Sequence, residues 1–248
     1  MASSPATVTA PAHDAPGYDA HGHDDHGHGA AHPPHLKHYF VSSEQQFEAA
    51  KLGMWLFLVT EILLFGGMFV AYAIFRAWYP ELFLEASEQL DTVMGATNTL
   101  VLLLSSFTVA YAIRGAQTDN QKVLFWNLVA TVVLAGVFMV VKYFEYTHKF
   151  HLGIFPGAGF DPVPTYLNPT EGIGADPRAG VFFSIYYVMT GIHGFHVLIG
   201  MIAISILAWK ARQGKYTSQW YTPVENVGLY WHVVDIIWIF LFPLMYLI

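Results

Sequence analysis

The sequence predicts an all-α membrane protein, a bundle of five transmembrane helices, and three observations carry that prediction. Of the 248 residues, 54% are hydrophobic and only 12% charged, against about 25% charged in soluble domains. The apolar residues gather into five long stretches, each able to cross a hydrocarbon core of about 30 Å at about 1.5 Å per helical residue. None of the stretches alternates with period two. Lipid leaves backbone groups no water to bond, so a closed barrel drops out and helices remain.

Taken in order, residues 1–38 come first, rich in Ala, Pro, Gly, Asp and His. They hold 8 of the chain's 13 histidines and almost nothing that forms a core, so a disordered His-rich tail is expected. Four Asp and no Arg speak against a mitochondrial transit peptide, and the apolar core of a secretory signal is absent. The run HGHDDHGHG has ligands for a divalent metal, but a flexible polar tail requires no ligand to explain it, and that plainer reading is preferred. Residues 39–50 (YFVSSEQQFEAA) form an amphipathic lead-in with Ser42 or Ser43 as N-cap. A membrane domain is expected over 39–248.

The expected spans are 52–75, 93–113, 123–141, 179–209 and 227–248. Buried helices of a soluble protein would not run so long with so few charges. An odd number of spans puts the termini on opposite sides, and the basic residues choose which. With the N-terminus cytoplasmic, that side receives Lys37, Lys51, Arg114, Lys122, Lys210, Arg212 and Lys215, and the other receives Arg76, Lys142, Lys149 and Arg178 with an acidic first loop of Glu81, Glu85, Glu88 and Asp91. The bias favours a cytoplasmic N-terminus and an external C-terminus. The connection over 147–178, dense in Pro and Gly, reads as a long external loop. No internal repeat is visible.

Composition also excludes chemistry. Without cysteine the chain has no disulfide, thiolate metal site, iron–sulfur cluster or cysteine nucleophile. A net charge of −7 with no basic cluster gives nucleic acid nothing to bind.

Five ionisable residues fall inside the apolar stretches. Glu61 lies nine residues past Leu52, roughly 14 Å into the membrane by helical rise. An ionised carboxylate there costs at least about 2.5 kcal/mol on insertion scales, so it must be neutral, paired or facing a wet cavity. His193 and His196 in GIHGFHVLIG, and His232 and Asp235 in YWHVVDIIW, are each spaced i, i+3 and share a helix face. Three helix faces bearing such groups should turn inward and meet. Glu145, at the end of the third span, reads as interfacial. Gly66, Gly67, Ser105, Ser106, Gly191, Gly194 and Gly200 are small residues that let helices approach, although glycine is common in membrane helices anyway.

Three readings of the buried groups stand on physics alone. A haem could take axial ligands from His193 or His196 and from His232, but one HxxH cannot fill both axial positions. A proton or ion relay could run through Glu61, although a single carboxylate at mid-depth is a poor relay without partners. A structural role, in which the groups pin the helices together at about 0.6–2 kcal/mol per hydrogen bond, is favoured, because buried polar groups in bundles are mostly satisfied internally.

The stretches KLGMWLFLVTEILLFGGMF, NTLVLLLSS, the pair Glu145 and Tyr146, GIHGFHVLIG and YWHVVDIIWIFLF occur in the order found in subunit III of haem-copper terminal oxidases. The chain resembles the cytochrome c oxidase subunit III family, in its five-span bacterial form, over about 45–248. The resemblance implies an accessory subunit without haem or copper of its own, those cofactors residing in partner subunits. It implies packing on subunit I in company with subunit II and small subunits or a supercomplex, support of proton uptake, phospholipid binding, and protection of the oxidase during turnover. Glu61 matches the family's carbodiimide-reactive glutamate, and His193, His196, His232 and Asp235 match positions read as an interhelical polar network. Arg212 and Lys215 resemble residues that contact lipid phosphate, as a cation at headgroup level would. Seven-span members carry two further helices that wall a lipid cleft, so lipid binding here calls for another wall. The five-span form favours a bacterial plasma membrane. Subunit III of a quinol oxidase or a nitric-oxide reductase is the alternative within this resemblance. A haem-bearing cytochrome or a metal transporter is the alternative outside it, although a transporter would normally show pseudo-repeats.

Overall fold

A computed structural model describes residues 40–151, 155–156 and 178–248. The expected disordered tail over 1–38 and most of the long Pro/Gly-rich connection lie outside the described residues. Six helices and no strand occur among the described residues: α1 (Ser43–Trp78), α2 (Pro80–Ser87), α3 (Thr92–Gln117), α4 (Gln121–His151), α5 (Ala179–Arg212) and α6 (Thr222–Tyr246). All but α2 are long and apolar enough to cross a membrane. The fold is the expected five-span bundle with one short helix added.

Helix α1 starts earlier than the apolar run because the polar lead-in joins it. The Ser42 hydroxyl accepts from Gln45 N at 3.1 Å, while the Gln45 side chain accepts from Val41 N at 3.0 Å. This reciprocal pair satisfies donors that a helix start leaves open. The helix stops where Pro80 denies Tyr79 the α-conformation, and Pro80 in turn opens α2, where its missing N–H costs nothing. Helix α2 is amphipathic. Phe83 and Ala86 are buried, with Phe83 edge-on to Phe182 at 5.2 Å, while Glu81 and Glu85 are exposed.

The Asp91 side chain caps α3 by accepting from Met94 N at 3.0 Å. Helices α3 and α4 form a close antiparallel hairpin across Asp119, whose φ of 54° lies in the left-handed region that Asp tolerates better than most residues. The hairpin needs Gly115, because a Cβ there would sit 2.7 Å from the backbone nitrogen of Leu124. Deeper in, Thr108 and Thr131 meet at 2.8 Å. Helix α6 is the hub on which α1, α3 and α5 converge. Its Trp231 and Trp238 are fully enclosed, their indole N–H groups donating to Ser105 Oγ at 3.0 Å and Thr99 Oγ1 at 3.1 Å. Gly200 of α5 lets the Trp231 ring lie where a Cβ would come within 2.7 Å. Gly66, Gly67, Gly191 and Gly194 border open space instead, so of the glycines singled out by sequence only Gly200 makes a close approach. In lipid such van der Waals packing and interhelical hydrogen bonding, rather than hydrophobic burial, hold helices together.

At the end of the bundle where α1 and α6 begin, Lys51 pairs with Glu225 at 2.9 Å, and Gln121 donates to the Tyr216 carbonyl. Asp119 there accepts from Ser218 N at 2.7 Å and from its hydroxyl at 2.6 Å, which holds the Asp119 carboxyl below the usual carboxylate range. Both connecting loops at this end are thereby tied to each other.

Candidate functional site

Glu61 faces α5 from α1. Its Oε2 lies 2.8 Å from His196 Nε2, and the two side chains are 14% and 12% exposed. His196 Nδ1 lies 2.8 Å from the Ile192 carbonyl, which only accepts, so Nδ1 carries a proton. Nε2 and Glu61 therefore share one further proton: either the acid donates to a neutral ring or an imidazolium donates to a carboxylate. The pair is electrically neutral in both forms. This is the arrangement a bilayer tolerates. The Tyr230 hydroxyl donates to the His196 carbonyl at 2.9 Å and Phe65 meets the His196 ring edge-on at 5.4 Å, which ties the pair to α6 and α1.

His193, one turn earlier on the same helix, is fully buried between Phe138 at 5.7 Å and Trp238 at 5.2 Å. Neither of its ring nitrogens has a hydrogen-bond partner among the described residues. His232 Nδ1 lies 2.7 Å from Ser106 Oγ. Asp235, 2% exposed, neighbours Ser106 but forms no hydrogen bond of normal geometry among the described residues. The structure thus brings Glu61 and His196 together, sets His232 and Asp235 beside Ser106, and holds His193 apart in an aromatic slot. Arg212 and Lys215 are exposed around the end of α5.

A second polar centre involves residues that the sequence reading treats as loop-flanking charges. Lys142, Glu145 and Lys149 occupy one face of α4. Glu145, read from sequence as interfacial, is 2% exposed and enclosed by α4, α5 and α6. Its Oε2 accepts from Lys142 Nζ at 2.8 Å, and its Oε1 accepts from Lys149 Nζ at 2.6 Å, Tyr186 at 2.9 Å and Tyr246 at 2.6 Å. Lys142 also donates to the Tyr246 hydroxyl at 2.7 Å, and Lys149 to that of Tyr186 at 2.8 Å. Nearby, Tyr146 and Thr190 join α4 to α5 at 2.6 Å. The legible signal was the spacing K-x-x-E-x-x-x-K, which stacks all three charges on one helical face.

Along the outer face of α5 run two adjoining hollows of about 360 and 410 Å³ that share Leu198. The first is floored by Gly191 and Gly194 and the second reaches Trp209.

The order of motifs on this helical frame can be set against known proteins. The model of the family described as cytochrome c oxidase subunit III matches residues 42–154 and 174–248. The chain belongs to that family. Among curated relatives, a cytochrome c oxidase subunit 3 from Thermostichus vulcanus is 34% identical over 201 residues, covering 79% of this chain and 86% of the relative. A heme-copper oxidase subunit I+III from Aeropyrum pernix is 31% identical over 206 residues, 79% of this chain but only 22% of that longer protein. A probable quinol oxidase subunit 3 from Staphylococcus aureus is 28% identical over 210 residues, 84% of this chain and 92% of the relative. Family membership and five membrane-crossing helices make the chain a multi-pass membrane protein of the haem-copper oxidase subunit III type.

Proposed function

We propose that this chain is the accessory, non-redox third subunit of an aerobic terminal oxidase of the cytochrome c type, packing on subunit I and supporting its proton uptake and its endurance in turnover. The observation that carries this reading is the family match over nearly the whole membrane part. The Aeropyrum pernix relative, whose name joins subunits I and III in one protein, supports subunit I as the neighbour. The use of the histidines supports a chain without its own haem: His196 is engaged through both nitrogens and His232 through Nδ1, while His193 is enclosed between two aromatic rings. Haem and copper then belong to the partner subunits. Glu61 serves as one half of a neutral, proton-sharing pair bridging α1 and α5, and His193, His232 and Asp235 as helix-facing polar groups.

The proposed orientation has the N-terminus in the cytoplasm of a bacterium. In its favour, Arg114, Lys122, Arg212 and Lys215 lie exposed at one end, while at the other Lys142 and Lys149 are enclosed around Glu145, which leaves Arg76 and Arg178 as the basic residues near that surface. Phospholipid binding fits the hollows along α5, which lead towards Arg212 and Lys215 as phosphate ligands.

Gentle solubilisation followed by mass spectrometry of copurifying chains tests the proposal. Subunit I and a copper-binding subunit II are expected. A quinol oxidase remains the second reading because of the Staphylococcus aureus relative, and a subunit II without copper would select it.

A further inference from the structure

Most of the polar side chains within the apolar runs of α1 and α5 are satisfied inside the chain. Thr60 and Ser205 return their hydroxyls to their own helices, to the carbonyls of Phe57 and Met201, and need nothing more. Glu61 and His196 answer each other. His232 is different. It is half-buried, uses Nδ1 on Ser106, and has Nε2 left over; one turn on, Asp235 neighbours the same Ser106 without a hydrogen bond of normal geometry among the described residues.

The place of His232 on α6 can be worked out from what its neighbours touch. One row of α6 faces α1: Tyr230 lies 6.0 Å from Phe57, Phe240 lies 6.4 Å from Phe69, and the Leu244 carbonyl accepts from Tyr72. Another row faces α3, where Trp231 meets Ser105, Trp238 meets Thr99, and Gly228 lies under Ile113. Helical geometry sets Leu229, His232, Ile236 and Ile239 on the stripe between these rows. Ile236 and Ile239 are 50% and 40% exposed, so among the described residues this stripe is open. It is apolar apart from His232, which sits near the middle of its helix and hence at mid-membrane depth.

A half-buried imidazole with a free ring nitrogen is a poor surface for hydrocarbon, which offers neither donor nor acceptor. A protein helix can offer both. We infer that the open stripe of α6 between α1 and α3 is the docking surface for a transmembrane helix of the catalytic subunit, which sets a polar side chain against His232 Nε2 while Ile236 and Ile239 supply the apolar contact. The inference rests on the proposed function for the identity of the partner and adds where that partner sits. Unspent hydrogen-bonding capacity at His232 is the complementarity that selects this stripe over the outer faces of α1 and α5, whose Thr60 and Ser205 hydroxyls are bonded within their own helices.

The test is photo-crosslinking in membranes carrying the complete oxidase, with a benzophenone amino acid placed at Ile236 or Ile239 on the stripe or at Ile202 in the α5 hollow. Crosslinks to subunit I from positions 236 and 239, and none from 202, are expected. In parallel, His232→Leu should lower the ratio of this chain to subunit I after detergent purification while its level in the membrane before solubilisation stays unchanged, and Leu63→Ile, at a 68% exposed position of α1 outside the hollows, should leave the ratio intact. Crosslinks from 236 and 239 to lipid alone or to a second copy of this chain, or crosslinks to subunit I from 202 alone, overturn the inference while the proposed function stands. Failure of subunit I to copurify with the unaltered chain removes both.

Discussion

The two polar centres of this bundle solve the problem of charge in lipid in opposite ways. Around Glu145, two lysines and two tyrosines from three helices donate four hydrogen bonds to a carboxylate that is 2% exposed. Around the membrane middle, charge is avoided rather than saturated: Glu61 and His196 share a proton within a neutral pair, and His232 and Asp235 keep bonding capacity in reserve. The first centre is complete within one chain and reads as a clamp for α4, α5 and α6. The second is incomplete and reads as prepared for a neighbour. A fully bonded buried group speaks of stability, and a partly bonded one speaks of what else the molecule meets.

Removing Glu145 should produce the largest effect. Glu145→Ala strands Lys142 and Lys149 in the bundle without their counter-charge, and breaking a buried pair this way costs about 3–5 kcal/mol. Thermal unfolding of the purified complex, followed through loss of this chain, should show it leaving at a distinctly lower temperature. Replacing Lys142, Glu145 and Lys149 together with apolar residues of similar size should cost much less, because no uncompensated charge remains. Next in size is Ser106→Ala. It removes the one hydrogen bond that His232 makes among the described residues, and membrane hydrogen bonds contribute about 0.6–2 kcal/mol. A modest loss of thermal stability is expected, and no loss at all would place His232 outside any structural role.

Glu61→Gln is the sharper test of the neutral pair. The amide can still donate to His196 Nε2, so assembly and the haem spectra of the oxidase should be unchanged, while activity should decay faster over repeated turnovers. Equal decay in both forms would strip Glu61 of a part in turnover. The smallest effect belongs to the loops outside the membrane. Ser218 holds the Asp119 carboxyl below its ordinary value, so its stabilising contribution is present above the unfolded-state pKa of about 4 and fades as pH falls through that range towards the lower folded value. Ser218→Ala should flatten that acid-side slope in a pH series of melting temperatures.

What the sequence made legible follows from the same contrast. The five spans stand out because unbroken apolar runs have one solution in lipid, and the Ser42 cap was readable from its position ahead of Gln45. Helix α2 is not legible in the same way: its eight residues mix acidic and apolar groups over a segment too short to show a helical period, so the sequence reads there as an acidic loop. Ionisable residues deep inside the runs announced themselves, whereas Lys142 and Lys149, near the end of α4, looked like ordinary flanking charge. Only the fold shows that Tyr186 and Tyr246, 41 and 101 residues away from Glu145, turn that flank inward. Of the glycines singled out, Gly200 makes a close approach and Gly66, Gly67, Gly191 and Gly194 do not, because close approach depends on which neighbour lies opposite, as Trp231 does for Gly200 and Leu124 for Gly115.

In the proposed function the membrane-embedded histidines and acids of this chain serve contacts between helices and subunits, with the oxygen chemistry housed in a neighbouring chain. Native mass spectrometry of the gently solubilised complex, with iron and copper assigned to each released subunit, addresses it directly. This chain should leave the complex as bare polypeptide with or without lipid, and subunit I should retain the haem. Iron porphyrin or copper departing with this chain, and lost on changing His193, His196 or His232, would contradict it.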